Sequence, residues 1–205
     1  MSSVPAAGCG QLNAEDDARA GFYALIGRLF YDAPDAELLA KICDTIESAP
    51  EATEDTPLLL AWRELQNACK NVPAEAIRQE YESLFIGVGK ALVTPYTARY
   101  ASGAAADKHL VSLRQQLGAW GLGRRDQVFE VEDHIAGLCD VMRYLIENNQ
   151  PLADQRQFFA RFVYPTAIPF LEAVNAVDSA SFYAQAALLA RAFFELEHVT
   201  LEMEE

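Results

Sequence analysis

Long apolar runs are missing from this 205-residue chain, and no stretch approaches the roughly 18 uninterrupted apolar residues of a membrane-spanning helix. Basic residues are scarce. Lys and Arg number 16 against 30 Asp and Glu, a formal charge of −14. Such a field repels phosphate backbones and excludes a general nucleic-acid binder. Only three histidines and four cysteines occur. Cys9, Cys43, Cys69 and Cys139 form no C-x-x-C pair, which argues against a zinc or iron–sulfur centre. Catalytic signatures are also lacking: there is no nucleophile elbow, no H-E-x-x-H and no second histidine near His134. Residues Met1 to Cys9 carry neither the basic start nor the apolar core of an export signal. They are expected to form a flexible leader, residues 1–14, on a cytoplasmic protein.

What the chain has in quantity is apolar residues at helical spacing. They make up 51% of the sequence, enough for a sizeable core. Phe22, Leu25, Ile26, Leu29 and Phe30 form one helical stripe. Asp35 is placed to cap a second helix carrying Leu38, Leu39, Ile42 and Ile46. Thr56-Pro57 opens a third with Leu58, Trp62, Leu65 and Cys69, and Pro73 a fourth with Ile77, Tyr81, Leu84 and Phe85. Helices are expected again from Leu110 to Trp120, stopping at Gly121, and from the acidic run Glu130 to Asp133 onwards. Two more, about 152–163 and 165–177, are expected to part at Pro165, and a last one runs from Ser181 to about Leu201. No alternating strand pattern interrupts them. The spacing predicts an all-α, single-domain bundle of eight or nine helices over residues 15–205. Cys43, Cys69 and Cys139 fall at apolar helical positions as reduced core thiols.

Function must then reside where the helical pattern breaks. Residues 86 to 104 form a long irregular stretch with Gly87, Gly89, Pro95 and Gly103, and loops of that length in a helical protein commonly carry function. Residues 88–128 hold six basic and two acidic side chains, a positive band between two acidic halves. Gly87-Val88-Gly89-Lys90 raises a guanine nucleotide as one ligand, but the G-x-x-x-x-G-K-[ST] spacing fails and a helix, not a strand, precedes it. No other cofactor is indicated. The second break, Glu130-Val131-Glu132-Asp133-His134, reads on residue chemistry first as an acidic helix start, with a base or metal ligand beside acids as the other reading.

Together these segments resemble one family. Tyr81-x-x-Leu84-Phe85-x-Gly87-x-Gly89, then Pro95-Tyr96-x-x-x-Tyr100, resembles the loop motif of the TorD/DmsD/NarJ redox-enzyme maturation chaperones. Glu130-x-Glu132-Asp133-His134-Ile135 resembles that family's E-P-x-D-H motif. Leu29-Phe30-Tyr31 with Pro34, and Phe158-Phe159 followed by Pro165, extend the likeness over residues 18 to 197. Val88 and Val131 stand where the family usually has Pro, Tyr96 where Trp is common, and Phe162 and Thr166 where His and Trp follow.

The resemblance implies a non-enzymatic cytoplasmic chaperone. Its partner would be the catalytic subunit of a dimethyl-sulfoxide-reductase-type molybdoenzyme, bound through its twin-arginine leader or N-terminal segment and held until cofactor insertion. Tyr31, Leu84, Phe85, Pro95, Tyr96 and Tyr100 would form an apolar wall, with Gly87 and Gly89 permitting close backbone approach. Asp133 and Glu130 would accept hydrogen bonds from the peptide, and His134 would be a hydrogen-bonding, pH-sensitive partner. The alternatives from other classes are a nucleotide-dependent enzyme or switch using Gly87 to Lys90, and a permanent helical assembly subunit. The long loop allows either a monomer or a domain-swapped dimer.

Overall fold

The computed structural model describes residues 12–45, 56–87, 90–101, 106–122 and 132–203. Among them the chain is all-α: nine helices, no strand, and one isolated antiparallel bridge. The helices are α1 (Ala14–Tyr31), α2 (Ala36–Asp44), α3 (Pro57–Asn71), α4 (Ala74–Tyr81) and α5 (Ala106–Ala119). They continue with α6 (Ile135–Glu147), α7 (Leu152–Phe158), α8 (Tyr164–Asn175) and α9 (Phe182–Met203).

Capping chemistry sets several of the helix ends. Asn13 Oδ1 accepts the Asp16 amide at 2.7 Å and caps α1, which begins at Ala14. Asp35 Oδ1 accepts the Leu38 amide and Thr56 Oγ1 the Leu59 amide, with Pro57 placed where no helical amide is needed. Beyond α5, Gly121 takes a positive φ of 69° and the Leu122 amide returns to the Leu117 carbonyl, a glycine stop.

Two expected boundaries move. No gap opens at Pro165, because α7 runs through a wider π-helical turn, Phe159–Val163, directly into α8, and Pro165 lies in its first turn. A second π-helical turn, Glu82–Ile86, extends α4. The acidic run does not start a helix either. Glu132 and Asp133 form a turn, His134 is the N-cap and α6 begins at Ile135; Glu130 lies outside the described residues.

α1 packs most extensively against α6, and α9 against α3 and α8. Phe30 is enclosed by Phe85, Phe170 and Tyr183, with ring centroids 5.2 to 6.1 Å away. Beside this core runs a buried polar tie. Arg19 holds Glu197 through two hydrogen bonds of 2.8 and 3.2 Å, Tyr23 Oη donates to the same carboxylate at 3.0 Å, and Arg19 also reaches Gln155. Burial, then the charge of Glu197, pushes the Tyr23 hydroxyl far above its usual range. α1, α7 and α9 are locked together this way. At the other end of α9, the Glu80 carboxylate accepts the amides of Ser181, Phe182 and Tyr183, tying α4 to the N-terminus of the longest helix. No helix among the described residues is long and apolar enough to cross a membrane.

Candidate functional site

The two irregular segments, nearly forty positions apart in sequence, meet in space. Tyr96 and His134 form the isolated bridge: the Ile135 amide donates to the Pro95 carbonyl at 2.9 Å and the Thr97 amide to the Asp133 carbonyl at 2.8 Å. The Asp133 carbonyl also accepts Thr97 Oγ1, and its carboxylate accepts the Ala98 amide at 3.1 Å. Asp133 thus clips down the short 3-10 turn Thr97–Tyr100. His134 Nδ1 accepts the Ala136 amide at 3.1 Å, which uses its lone pair to cap α6. The Asp133 carboxylate thus holds the loop while His134 Nδ1 caps the helix, and each residue is only 4% exposed.

Their burial leaves an aromatic ledge above them. The Tyr31 ring stands 6.2 Å from the His134 ring, and Tyr96 stands edge-on to it at 5.4 Å. Tyr31 is 51% exposed, although its own carbonyl is held by Tyr81 Oη at 2.6 Å. Tyr96 is half-buried. Tyr100 faces inward, its hydroxyl on the Thr94 carbonyl and its ring against Phe170, and burial raises its pKa. Next to the first π-helical turn lies an open groove of about 670 Å³ lined by Gln79, Glu82, Ser83, Ile86, Gly87, Lys90 and Leu92. The Val93 amide on the Leu84 carbonyl fixes one side of it.

Gly87 is the hinge of the groove. Its φ is +64°, and its amide bonds the Glu82 carbonyl at 2.7 Å. A Cβ there would collide with the Lys90 carbonyl.

The residues expected at the site therefore divide. Tyr31, Tyr96, Asp133 and His134 are brought together. Leu84 and Phe85 do not reach the surface; they point into the core, Phe85 against Phe30, Tyr81 and Tyr183. Pro95 is buried as well. The apolar side chains that the groove does offer are Ile86 and Leu92, 62% and 59% exposed. Neither was singled out from the sequence. The signal for Ile86 was available: three consecutive large apolar residues, Leu84-Phe85-Ile86, cannot all face one side of a helix. Asp133, expected to contact a peptide, accepts the Ala98 amide. The accessible acid of that turn is Glu132, paired with Arg114 at 3.0 Å. Gly89 and Glu130 lie outside the described residues.

A family model described as nitrate reductase delta subunit matches residues 51–171, more than half of the chain. A protein of Haemophilus influenzae, described only as uncharacterized, is 29% identical over 172 residues, covering 82% of this chain and 85% of its own length. A crystal structure of a proposed redox enzyme maturation protein from Archaeoglobus fulgidus aligns over 91% of this chain and 95% of that one, at 21% identity and a TM-score of 0.48.

Proposed function

Since the chain belongs to the nitrate reductase delta subunit family, the NarJ/TorD-type redox-enzyme maturation chaperones, we propose that it binds the leader or N-terminal segment of a dimethyl-sulfoxide-reductase-type molybdoenzyme. In this reading it works in the cytoplasm without catalysis and holds the apoenzyme until cofactor is inserted, before export.

The observation that carries the reading is the meeting of the two motif segments at Tyr96 and His134, with Tyr31 and Tyr96 forming a ledge of partly exposed rings. A twin-arginine leader joins a guanidinium pair to an apolar stretch. The charge of −14 draws the first by long-range attraction. Tyr faces accept guanidinium groups by cation–π contact as well as apolar side chains, so the ledge suits either part. Ile86 and Leu92 on the groove give the apolar stretch further surface. Burying ~400 Å² of apolar area contributes on the order of 10 kcal/mol gross. Ordering the peptide and losing its free motion offset much of that, which leaves micromolar affinity.

The test has two steps. Tagged protein is recovered from its native host under anaerobic respiratory growth, and co-purifying proteins are identified by mass spectrometry. A synthetic peptide of the recovered enzyme's leader is then titrated calorimetrically against wild type, Tyr31→Ala and Tyr96→Ala. The expected result is an apoenzyme with its leader intact, a micromolar complex, and roughly tenfold weaker binding in each variant with the helical spectrum unchanged. Recovery of a mature, cofactor-loaded complex would make the chain a permanent subunit. Unchanged affinity in both variants would remove the ledge from the site.

A further inference from the structure

The α2–α3 pair carries a feature that the chaperone reading does not use. α2 and α3 pack side by side, and each contributes one cysteine to the interface: Cys43 near the end of α2 and Cys69 near the end of α3. Both thiols are free. The register between the helices is fixed one turn before Cys69, where Gln66 Nε2 donates to the carbonyls of Ile42 and Thr45, the residues on either side of the Cys43 segment. Cys69 is 9% exposed within the core, and Cys43 is partly buried against it. Burial pushes the Cys69 thiol up to about 12, and the neighbouring Cys43 thiol adds to the rise. The two thiols therefore face each other across the α2–α3 pair.

We propose that Cys43 and Cys69 are a redox-active pair that closes into a disulfide stapling α2 to α3. The oxidant is a small-molecule disulfide such as oxidised glutathione. The solvent-accessible Cys43, as thiolate, attacks one glutathione sulfur, breaking that S–S bond and releasing one glutathione. The resulting mixed disulfide is attacked by Cys69, which gives up its proton and expels the second glutathione. Two protein thiols lose two protons and two electrons, and one glutathione disulfide becomes two thiols. Cys139 takes no part, because it is fully buried at the α1–α6 contact and burial holds its thiol protonated.

The full-length chain carrying Cys9→Ser is incubated with oxidised glutathione, alkylated, and digested with trypsin. Cleavage after Arg63 separates the two cysteines, so the disulfide appears as two joined peptides. The expected result is loss of two of the three remaining thiols and a rise in Tm of about 5–10 °C, reversed by dithiothreitol. Cys69→Ser stops the reaction at a glutathione adduct on Cys43, without the Tm rise. A persistent glutathione adduct on Cys43 in the protein that retains both thiols would overturn the proposal. So would full retention of all three thiols in the native state when denatured protein loses them.

Discussion

The two π-helical turns use the same local device with opposite consequences. Each follows an α-helix and inserts a wide five-residue turn, Glu82–Ile86 in one case and Phe159–Val163 in the other. The second resumes as helix at once. Tyr164 stays in the right-handed region, Pro165 occupies a first-turn position that needs no amide, and Phe159, Phe162 and Val163 are all buried. The first ends at Gly87 with φ +64°, and its last residue, Ile86, is left 62% exposed at the rim of the groove. Wide turns often accompany functional sites, yet one of these is pure packing. What differs is the chain just after the turn: Gly87 goes left-handed and releases the chain into a loop, whereas Tyr164 stays right-handed and Pro165 fits the first turn of the next helix.

Breaking the packed turn gives the largest effect. Phe162 is 1% exposed, with His109 5.8 Å from its ring on one side and Arg161 5.0 Å above its centroid. Phe162→Ala removes an enclosed ring and is expected to cost about 3–5 kcal/mol. Thermal unfolding should fall by roughly 10 °C. Leader-peptide binding well below that temperature should persist, because the cavity lies in the packed turn and not at the groove. Loss of binding in a still-folded variant would mean the two turns are one unit.

The open turn is broken at its glycine. Gly87→Ala is strained in φ by about 1–2 kcal/mol, and its methyl collides with the Lys90 carbonyl, so the groove must also shift. Gly121→Ala is the control: φ is +69° but nothing lies within 4 Å of the added methyl, so only the φ strain applies. Urea unfolding should show Gly87→Ala as the more destabilised of the two, and only Gly87→Ala should weaken peptide binding. Equal losses would mean that the 87–90 turn relaxes around the methyl.

This contrast also explains what could be read in advance. Periodicity placed Ile77, Tyr81, Leu84 and Phe85 on one buried stripe, and all four are buried, because a hydrophobic pattern reports burial directly. Caps at Asp35 and Thr56 were legible because their side chains bond amides three residues on. The π-helical turns were not, since an extra residue inside a helix leaves no compositional mark. Nor was the Tyr96–His134 bridge, which joins distant segments through two backbone hydrogen bonds and no strand pattern. Leu84 and Phe85, expected to line the peptide wall, are buried in the core, and Asp133 accepts hydrogen bonds from Thr97 and Ala98. Ile86→Ser sharpens the distinction. Taking one exposed side chain off the groove should weaken leader-peptide affinity about tenfold while urea stability stays within ~0.5 kcal/mol of wild type. A large stability loss would place Ile86 in the packing.

The smallest effect lies between the packed turn and the motif, at His109. It is buried on α5, stands edge-on to Phe162, and leaves Nε2 without a hydrogen-bond partner among the described residues. Burial lowers its pKa below the usual 6.5, the charge of Asp133 opposes that, and Arg161 reinforces it. The folded chain therefore prefers neutral His109, whereas the unfolded chain takes up a proton as pH falls through 6.5. Below that value the unfolded state binds more protons, so stability declines with falling pH and is flat, for this residue, above it. His109→Gln cannot titrate. Denaturant midpoints measured from pH 7.5 to 5 should show a shallower decline in this variant than in wild type, the two curves differing most at the acid end. Parallel curves would mean that His109 gains its proton in the fold as readily as in the open chain, with Asp133 offsetting burial completely. The packed turn and the motif would then be linked by charge across His109 as well as by contact.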